Sequence, residues 1–140
     1  MLHHCRQITS SVNLVSKLPP TPYRQGGSFN VEANTSNARL TLDFPVAPID
    51  SVLNIQGGTS NAKALVKLHP TWEGTFGLRT TNRMTHVDNP VRYDPTGQGR
   101  ERQVAWFGEY ERSDGLATWS GKYTGNINLQ SSNEVVELRL

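Results

Sequence analysis

Two glycines and two arginines form the first group of residues that could do chemistry. In "DPTGQGRER", residues 94–102, Gly97 and Gly99 are one residue apart, with Arg100 and Arg102 just beyond them. Glycines let backbone N–H groups approach an oxyanion closely, and guanidinium groups grip phosphate or carboxylate in a bidentate fork. Arg100 and Arg102 are therefore candidate anion contacts. A phosphate-binding fingerprint, however, needs a strand before the glycines and a helix N-terminus after them. Here the strand-like "RQVAWFGEYER" follows, which favours a plain loop leading into a hairpin.

Aromatic side chains offer a second chemistry, because exposed rings stack on sugars or anchor protein partners. Trp72, Trp106, Trp119, Tyr93, Tyr110 and Tyr123 are concentrated between residues 72 and 123. Trp106 and Trp119 lie in strand-like segments and are expected in the core. Trp72, beside Pro70 in a connection, is the one expected to be exposed and to touch a ligand.

Catalytic and metal-binding patterns are missing. The sequence has no Gly-x-Ser-x-Gly elbow, no His-Glu-x-x-His and no Walker loop. Glu109, Glu111 and Asp114 cluster, but Arg102 and Arg112 beside them suggest a solvated, paired face. His3, His4 and Cys5 adjoin one another in a segment with no preformed ligand geometry, and His69 and His86 are isolated. No catalytic residue, metal or cofactor is assigned.

The elements that must carry these residues are strands. "SFNVEANTSNARLTLDF", "SVLNIQGGTSNAKALVKL", "GTFGLRTTNRMTHV" and "GNINLQSSNEVVELRL" share one scheme: apolar residues alternate, a small polar triplet intervenes, and alternation resumes. The inward sets are Phe29, Val31, Ala33, Leu40 and Leu42; Leu53, Ile55, Gly57, Ala64, Val66 and Leu68; Phe76, Leu78 and Thr80, then Met84 and His86 or their neighbours; and Ile127, Leu129, Val136, Leu138 and Leu140. The triplets are Thr35-Ser36-Asn37, Thr59-Ser60-Asn61, Thr80-Thr81-Asn82 and Ser131-Ser132-Asn133. Asn tolerates left-handed backbone, and Ser, Thr and Asn side chains bond nearby backbone groups to close turns. The triplets therefore read as structural corners between strands, able to stack in a side-chain ladder, rather than as a repeated ligand contact. Their starts lie 24, 21 and 51 residues apart, a period typical of stacked supersecondary units. The long interval reads as a repeat replaced by a β-hairpin turning at Ser113-Asp114-Gly115.

Composition sets the outer limits. One hundred and forty residues suit one domain, and an apolar fraction of 35% with abundant turn residues favours strands over helices. Residues 1–27, with "LPPTPYRQGG", read as a flexible Pro-containing tail or linker, leaving 28–140 as a single all-β repeat domain. The net charge of +2 is unevenly placed: Arg6, Lys17 and Arg24 give the first 31 residues +3, and the rest carries 11 basic and 12 acidic residues, a net of −1. A near-neutral body disfavours nucleic acid as a partner. One cysteine excludes an internal disulfide framework. No apolar run long enough for a membrane helix or an export signal is visible, so the cytoplasm is the default expectation. The sequon Asn34-Thr35-Ser36 would matter only in the secretory route.

"SFNVEANTSNA", "DSVLNIQGGTSNAKALVKLHPTWEGTFGLRTTN", "DPTGQGRER" and "INLQSSNEVVELRL" together resemble an uncharacterised fungal domain family of unknown function. Its members repeat Thr-Ser-Asn triplets and carry His-Pro-x-aromatic-Glu-Gly and Asp-Pro-x-Gly-x-Gly-Arg segments. More distantly, the triplet resembles that of putative-adhesin domains, which implies a β-solenoid-like architecture. The expected fold is all-β: stacked strand-corner-strand repeats, as a solenoid or a two-sheet sandwich, with an inserted hairpin. Leading among functions is a non-enzymatic structural or protein-interaction module, adhesin-like, with an unidentified protein or glycan partner. A carbohydrate-binding module and a small hydrolase with dispersed residues are the alternatives.

Overall fold

A computed structural model describes residues 2–8, 12–17, 27–47 and 51–140. These residues form twelve strands: β1 (Leu2–Ile8), β2 (Val12–Lys17), β3 (Gly27–Thr35), β4 (Leu40–Val46), β5 (Ser51–Thr59), β6 (Ala64–Lys67), β7 (Gly74–Thr80), β8 (Thr85–Asp88), β9 (Gln103–Glu109), β10 (Arg112–Thr118), β11 (Gly125–Ser131) and β12 (Val136–Arg139). They build a two-sheet, sandwich-like all-β fold. Sheet A has seven strands in the order β1-β3-β5-β11-β7-β10-β9, and sheet B has five, β2-β4-β6-β12-β8. Each unit sends one strand along sheet A, turns at a corner and returns along sheet B. Units stack in parallel register, so Val31, Ile55, Ile127 and Phe76 fall in one row.

Period-two alternation turns each row toward either the core or the outer face. Phe29, Val31, Ala33, Leu53, Ile55, Phe76, Leu78, Ile127 and Leu129 point inward from sheet A. They meet Leu40, Leu42, Phe44, Ala64, Val66, Val136 and Leu138 of sheet B, all buried. In the third unit the inward pair after the corner is Thr85 and Val87, the neighbours of Met84 and His86, which are exposed.

The stacking order departs from a simple winding. β11 lies between β5 and β7, and β12 between β6 and β8. The final unit thus fills a gap left between the two before it, where consecutive solenoid rungs would lie side by side. The 51-residue interval holds the β9–β10 hairpin, which does not occupy a rung between the units. It extends sheet A past β7 in antiparallel pairing.

Two boundaries differ from the sequence reading. The hairpin turns at Tyr110 and Glu111, with Glu109 paired to Arg112, so Ser113-Asp114-Gly115 lies inside β10. Gly115 is needed for close approach rather than for turning: a Cβ there would sit 2.5 Å from the Trp106 Cβ and 2.6 Å from the Phe76 ring. The stretch expected as a tail, residues 1–27, contains β1 and β2, whose parallel partners are β3 and β4. Thr9-Ser10-Ser11 between them, like residues 18–26 with the prolines, lies outside the described residues.

At the corners, each triplet position has its own environment. The first residue, Thr35, Thr59, Thr80 or Ser131, is buried and its hydroxyl donates to a corner carbonyl. Thr35 reaches Ala38 in its own unit. The others cross to the unit alongside: Thr59 to Ala38 O (2.9 Å), Ser131 to Ala62 O (2.8 Å) and Thr80 to Glu134 O (2.6 Å). Ser60, Thr81 and Ser132 face solvent in the middle position, with Ser36 half-buried. Third come the asparagines, three of whose amides run as a ladder: Asn133 Nδ2 donates to Asn61 Oδ1 (2.8 Å) and Asn61 Nδ2 to Asn37 Oδ1, while the Asn82 backbone N–H donates to Glu111 Oε1 (2.9 Å). Asn37 and Asn82 adopt left-handed backbone, φ 63° and 65°. Because Asn61 bridges two units, Asn61→Ala is expected to cost about 0.5–2 kcal/mol in chemical denaturation. An unchanged unfolding midpoint would contradict the ladder's role.

Candidate functional site

The outward residues of sheet A form a polar surface that crosses the strands. Register sets them in three rows across the strands. Asn30, Asn54, Asn126 and Thr75 make the first; Glu32, Gln56, Asn128, Gly77, Asp114 and Phe107 the second; Asn34, Gly58, Gln130, Arg79 and Arg112 the third. Gly58 and Gly77 leave gaps in rows otherwise filled by long side chains. Depressions of about 410, 260 and 380 Å³ share Asn128, and one of about 330 Å³, lined largely by the first and second residues of the four corner triplets, meets the first of them at Asn34, Gln130 and Arg79. The result is a trough running across the strands toward Phe107.

The trough's side chains differ in how far they are engaged. The first row is held internally: Asn54 Nδ2 donates to Asn30 Oδ1 (3.0 Å), the Asn126 backbone N–H to Asn54 Oδ1 (3.0 Å), and Asn128 Nδ2 to Asn126 Oδ1 (2.9 Å). The side chains of Gln56, Gln130 and Arg79 are exposed and make no hydrogen bond or ion pair among the described residues. Near Gly77, Asp114 Oδ1 and Asn128 Oδ1 frame the gap, where an added Cβ would lie 3.1 and 3.4 Å from them. Arg112 Nε holds Asp114 Oδ2 at 2.7 Å. Phe107, 77% exposed, supplies an aromatic face at the end of the row.

None of the residues singled out in the sequence as ligand contacts lines this trough. Trp72 is buried, with its indole N–H donating to Leu53 O at 3.2 Å, because Gly125 leaves room for the ring against the ends of the strands. Trp106, expected in the core, is 44% exposed: sheet B ends at β8, and on this face of β9 it is Val104 that packs against the core. Trp119 is buried and donates to Pro70 O at 2.7 Å.

Arg100 is committed inside its own loop. It reaches Asp94 through its backbone N–H, Nε (both 2.9 Å) and Nη2 (3.1 Å), while Thr96 adds its N–H and hydroxyl. The Arg100 guanidinium, aided by Thr96, holds the Asp94 carboxyl well below the usual range. Gly97 and Gly99, at φ 76° and 72°, shape this turn rather than an anion cradle. Arg102 lies with its Cζ 5.6 Å from the centroid of the Trp119 ring, its three guanidinium nitrogens enclosed and without hydrogen-bond partners among the described residues. Burial and the like charge of Arg92 lower its pKa to about 10, against the opposing pull of Glu73.

Glu73 ties this end of the sandwich together. Its carboxylate accepts from the Trp119 and Ser120 N–H groups (both 2.6 Å) and from the Thr118 and Ser120 hydroxyls (both 2.9 Å). Burial raises its pKa, but the Ser120 and Trp119 backbone donors and the two hydroxyls outweigh it, and the net shift is downward. A carboxylate with a lowered folded pKa contributes stability above its unfolded pKa and loses it as pH falls through the folded value. Glu73→Ala is therefore expected to cost about 1–3 kcal/mol near neutrality and less in acid, by melting at stepped pH. A gap that stayed constant with pH would contradict this.

What the sequence reading missed was the outward set: Gln56, Asn128, Gln130, Arg79 and Phe107. The signal was present in the polar residues alternating with the core positions, "NVEAN", "NIQGG" and "NINLQ", which repeat amides at matching places in successive units. Among the described residues no helix is long and apolar enough to cross a membrane, and no three His, Cys, Asp or Glu side chains group as metal ligands. No protein-family model, curated protein or solved structure matches the chain.

Proposed function

We propose that the protein is a non-enzymatic binding module that lays an extended, hydroxyl-rich chain, a glycan, along the outer face of sheet A. The observation that carries this reading is the amide-lined trough, with Gln56, Gln130 and Arg79 unengaged and Phe107 at its end. Sugar hydroxyls both donate and accept, as amides do, and the C–H face of a pyranose stacks on an aromatic ring. Equivalent amides recur at the strand spacing of about 4.8 Å, close to the repeat of an extended hexose chain. Arg112 is held by Asp114, which leaves Arg79, among the described residues, as the one cation of these rows outside an ion pair, a poor match for a polyphosphate.

Binding is favoured over hydrolysis by the spacing of the carboxylates. Glu32 and Asp114 share a row but stand four strands apart, roughly 19 Å at a spacing of about 4.8 Å. Paired carboxylates that cleave glycosides stand about 5–9.5 Å apart. The corner residues, engaged in their own ladder, support a structural role for the triplets beside the binding face. Cosedimentation with cellulose, chitin and insoluble β-glucan tests the reading. The protein is expected to pellet with one of them, and the Gln56→Ala/Asn128→Ala double variant to bind roughly tenfold more weakly. Failure to pellet with any, or equal binding by the variant, would overturn it.

A further inference from the structure

β9 ends sheet A and has β10 as its one neighbour. Among the described residues no strand pairs with its other edge, and such an edge templates the addition of a strand. The features that usually guard an edge are few: β9 contains no proline, and its one charge is the last residue, Glu109. Because sheet B ends at β8, the inner face of β9 has no opposing strand. Trp106 lies on that face, as its approach to Gly115 and Phe76 shows, and Phe107 lies on the other. Thr85 N donates to Tyr110 O at 2.9 Å, bringing the start of β8 beside the hairpin tip, where Met84 and Tyr110 are also exposed, 54% and 55%.

We infer that β9 pairs antiparallel with β9 of a second copy about a two-fold axis at Phe107, fusing two sheets A into one. A two-fold interface must be self-complementary, and this strand is. With Phe107 opposite its own copy, Trp106 falls opposite Gly108 in both directions, the largest side chain against the smallest. About this axis the two strands overlap from Ala105 to Glu109, Glu109 falls opposite Ala105, and no like charges meet. An unrelated extended segment would satisfy the edge but gains nothing from this internal match. The pairing also sets the two troughs end to end, with the Phe107 rings at their junction, although the inference does not rest on the glycan reading.

Sedimentation of the full chain over micromolar concentrations tests it. Wild type is expected to sediment at twice the 15.6 kDa of one chain. Phe107→Lys, which opposes two ammonium groups on the axis, is expected to sediment at half the wild-type mass with unchanged circular dichroism. In a Cys5→Ser background, Phe107→Cys is expected to oxidise to a covalent dimer, and Trp106→Cys is not. A wild type that stays monomeric, a dimer indifferent to Phe107→Lys, or absence of the Phe107→Cys cross-link would overturn the inference. Glycan binding by Gln56 and Asn128 variants is a separate readout, so either proposal can fail alone.

Discussion

Replacing Trp72 with alanine is expected to lower the unfolding free energy by about 3–5 kcal/mol, the usual cost of deleting a buried large aromatic side chain. Its ring is 3% exposed, and its N–H satisfies Leu53 O, a group the variant would leave unpaired. Gly125 adds to the case. A Cβ there would stand 2.7 Å from Trp72 Nε1, so the two positions are matched to each other. Denaturant titration reads the effect directly. A midpoint within error of wild type would mean that Trp72 is not packed as described. If Trp72 were instead an exposed sugar platform, the variant would lose binding and keep its stability.

Arg102→Met is expected to act in the opposite direction, raising stability by about 1–2 kcal/mol. Replacing even a buried ion pair by apolar side chains of similar volume is often neutral or stabilising by about 1–4 kcal/mol, and a cation without a hydrogen-bond partner has less to lose. Against that gain stands the stacking on Trp119, about 0.5–2 kcal/mol. For a chain of this size the net corresponds to a melting midpoint roughly 3–8 °C higher. The pH dependence follows from the depressed pKa. A base whose folded pKa is lowered to about 10 is charged in both states below that pH, where the cost is full. Above it the folded protein sheds the proton first, wild type recovers stability, and the advantage of the variant shrinks. A variant less stable than wild type at neutral pH would show that Arg102 has a compensating partner.

Trp72 and Arg102 also mark how far the sequence could be read. Strand periodicity exposed the core: Ile55, Leu78, Ile127 and Leu138 lie where alternation put them, because parallel in-register stacking preserves a period of two from unit to unit. The corners were legible for the same reason, since a buried hydroxyl, an exposed middle residue and a bridging amide require particular residue types at fixed positions. The order of the units was hidden, as nothing local in "GNINLQSSNEVVELRL" says that it inserts between two earlier units. Nor did local sequence reveal that Gly115 serves packing against Trp106 and Phe76, which displaced the expected turn by a few residues.

The candidate site was less legible than the fold. Arg100 and Arg102 stood out by type and spacing, yet Asp94 engages one and Trp119 covers the other. The trough residues are ordinary amides individually, and they gain meaning only when register aligns Gln56 with Asn128 and Gln130 with Arg79. Phe107 joins them through a hairpin pairing distant in sequence from β3, β5 and β11.

The most direct test of the glycan trough is a two-dimensional amide NMR titration of the full chain with soluble oligosaccharides of the cellulose, chitin and β-glucan series. Saturable shifts are expected at the side-chain amides of Gln56, Asn128 and Gln130 and along the outward positions of β5, β11 and β7, with the core and the Arg102 end unmoved. Shifts confined to another surface, or none with any of the three series, would contradict the account.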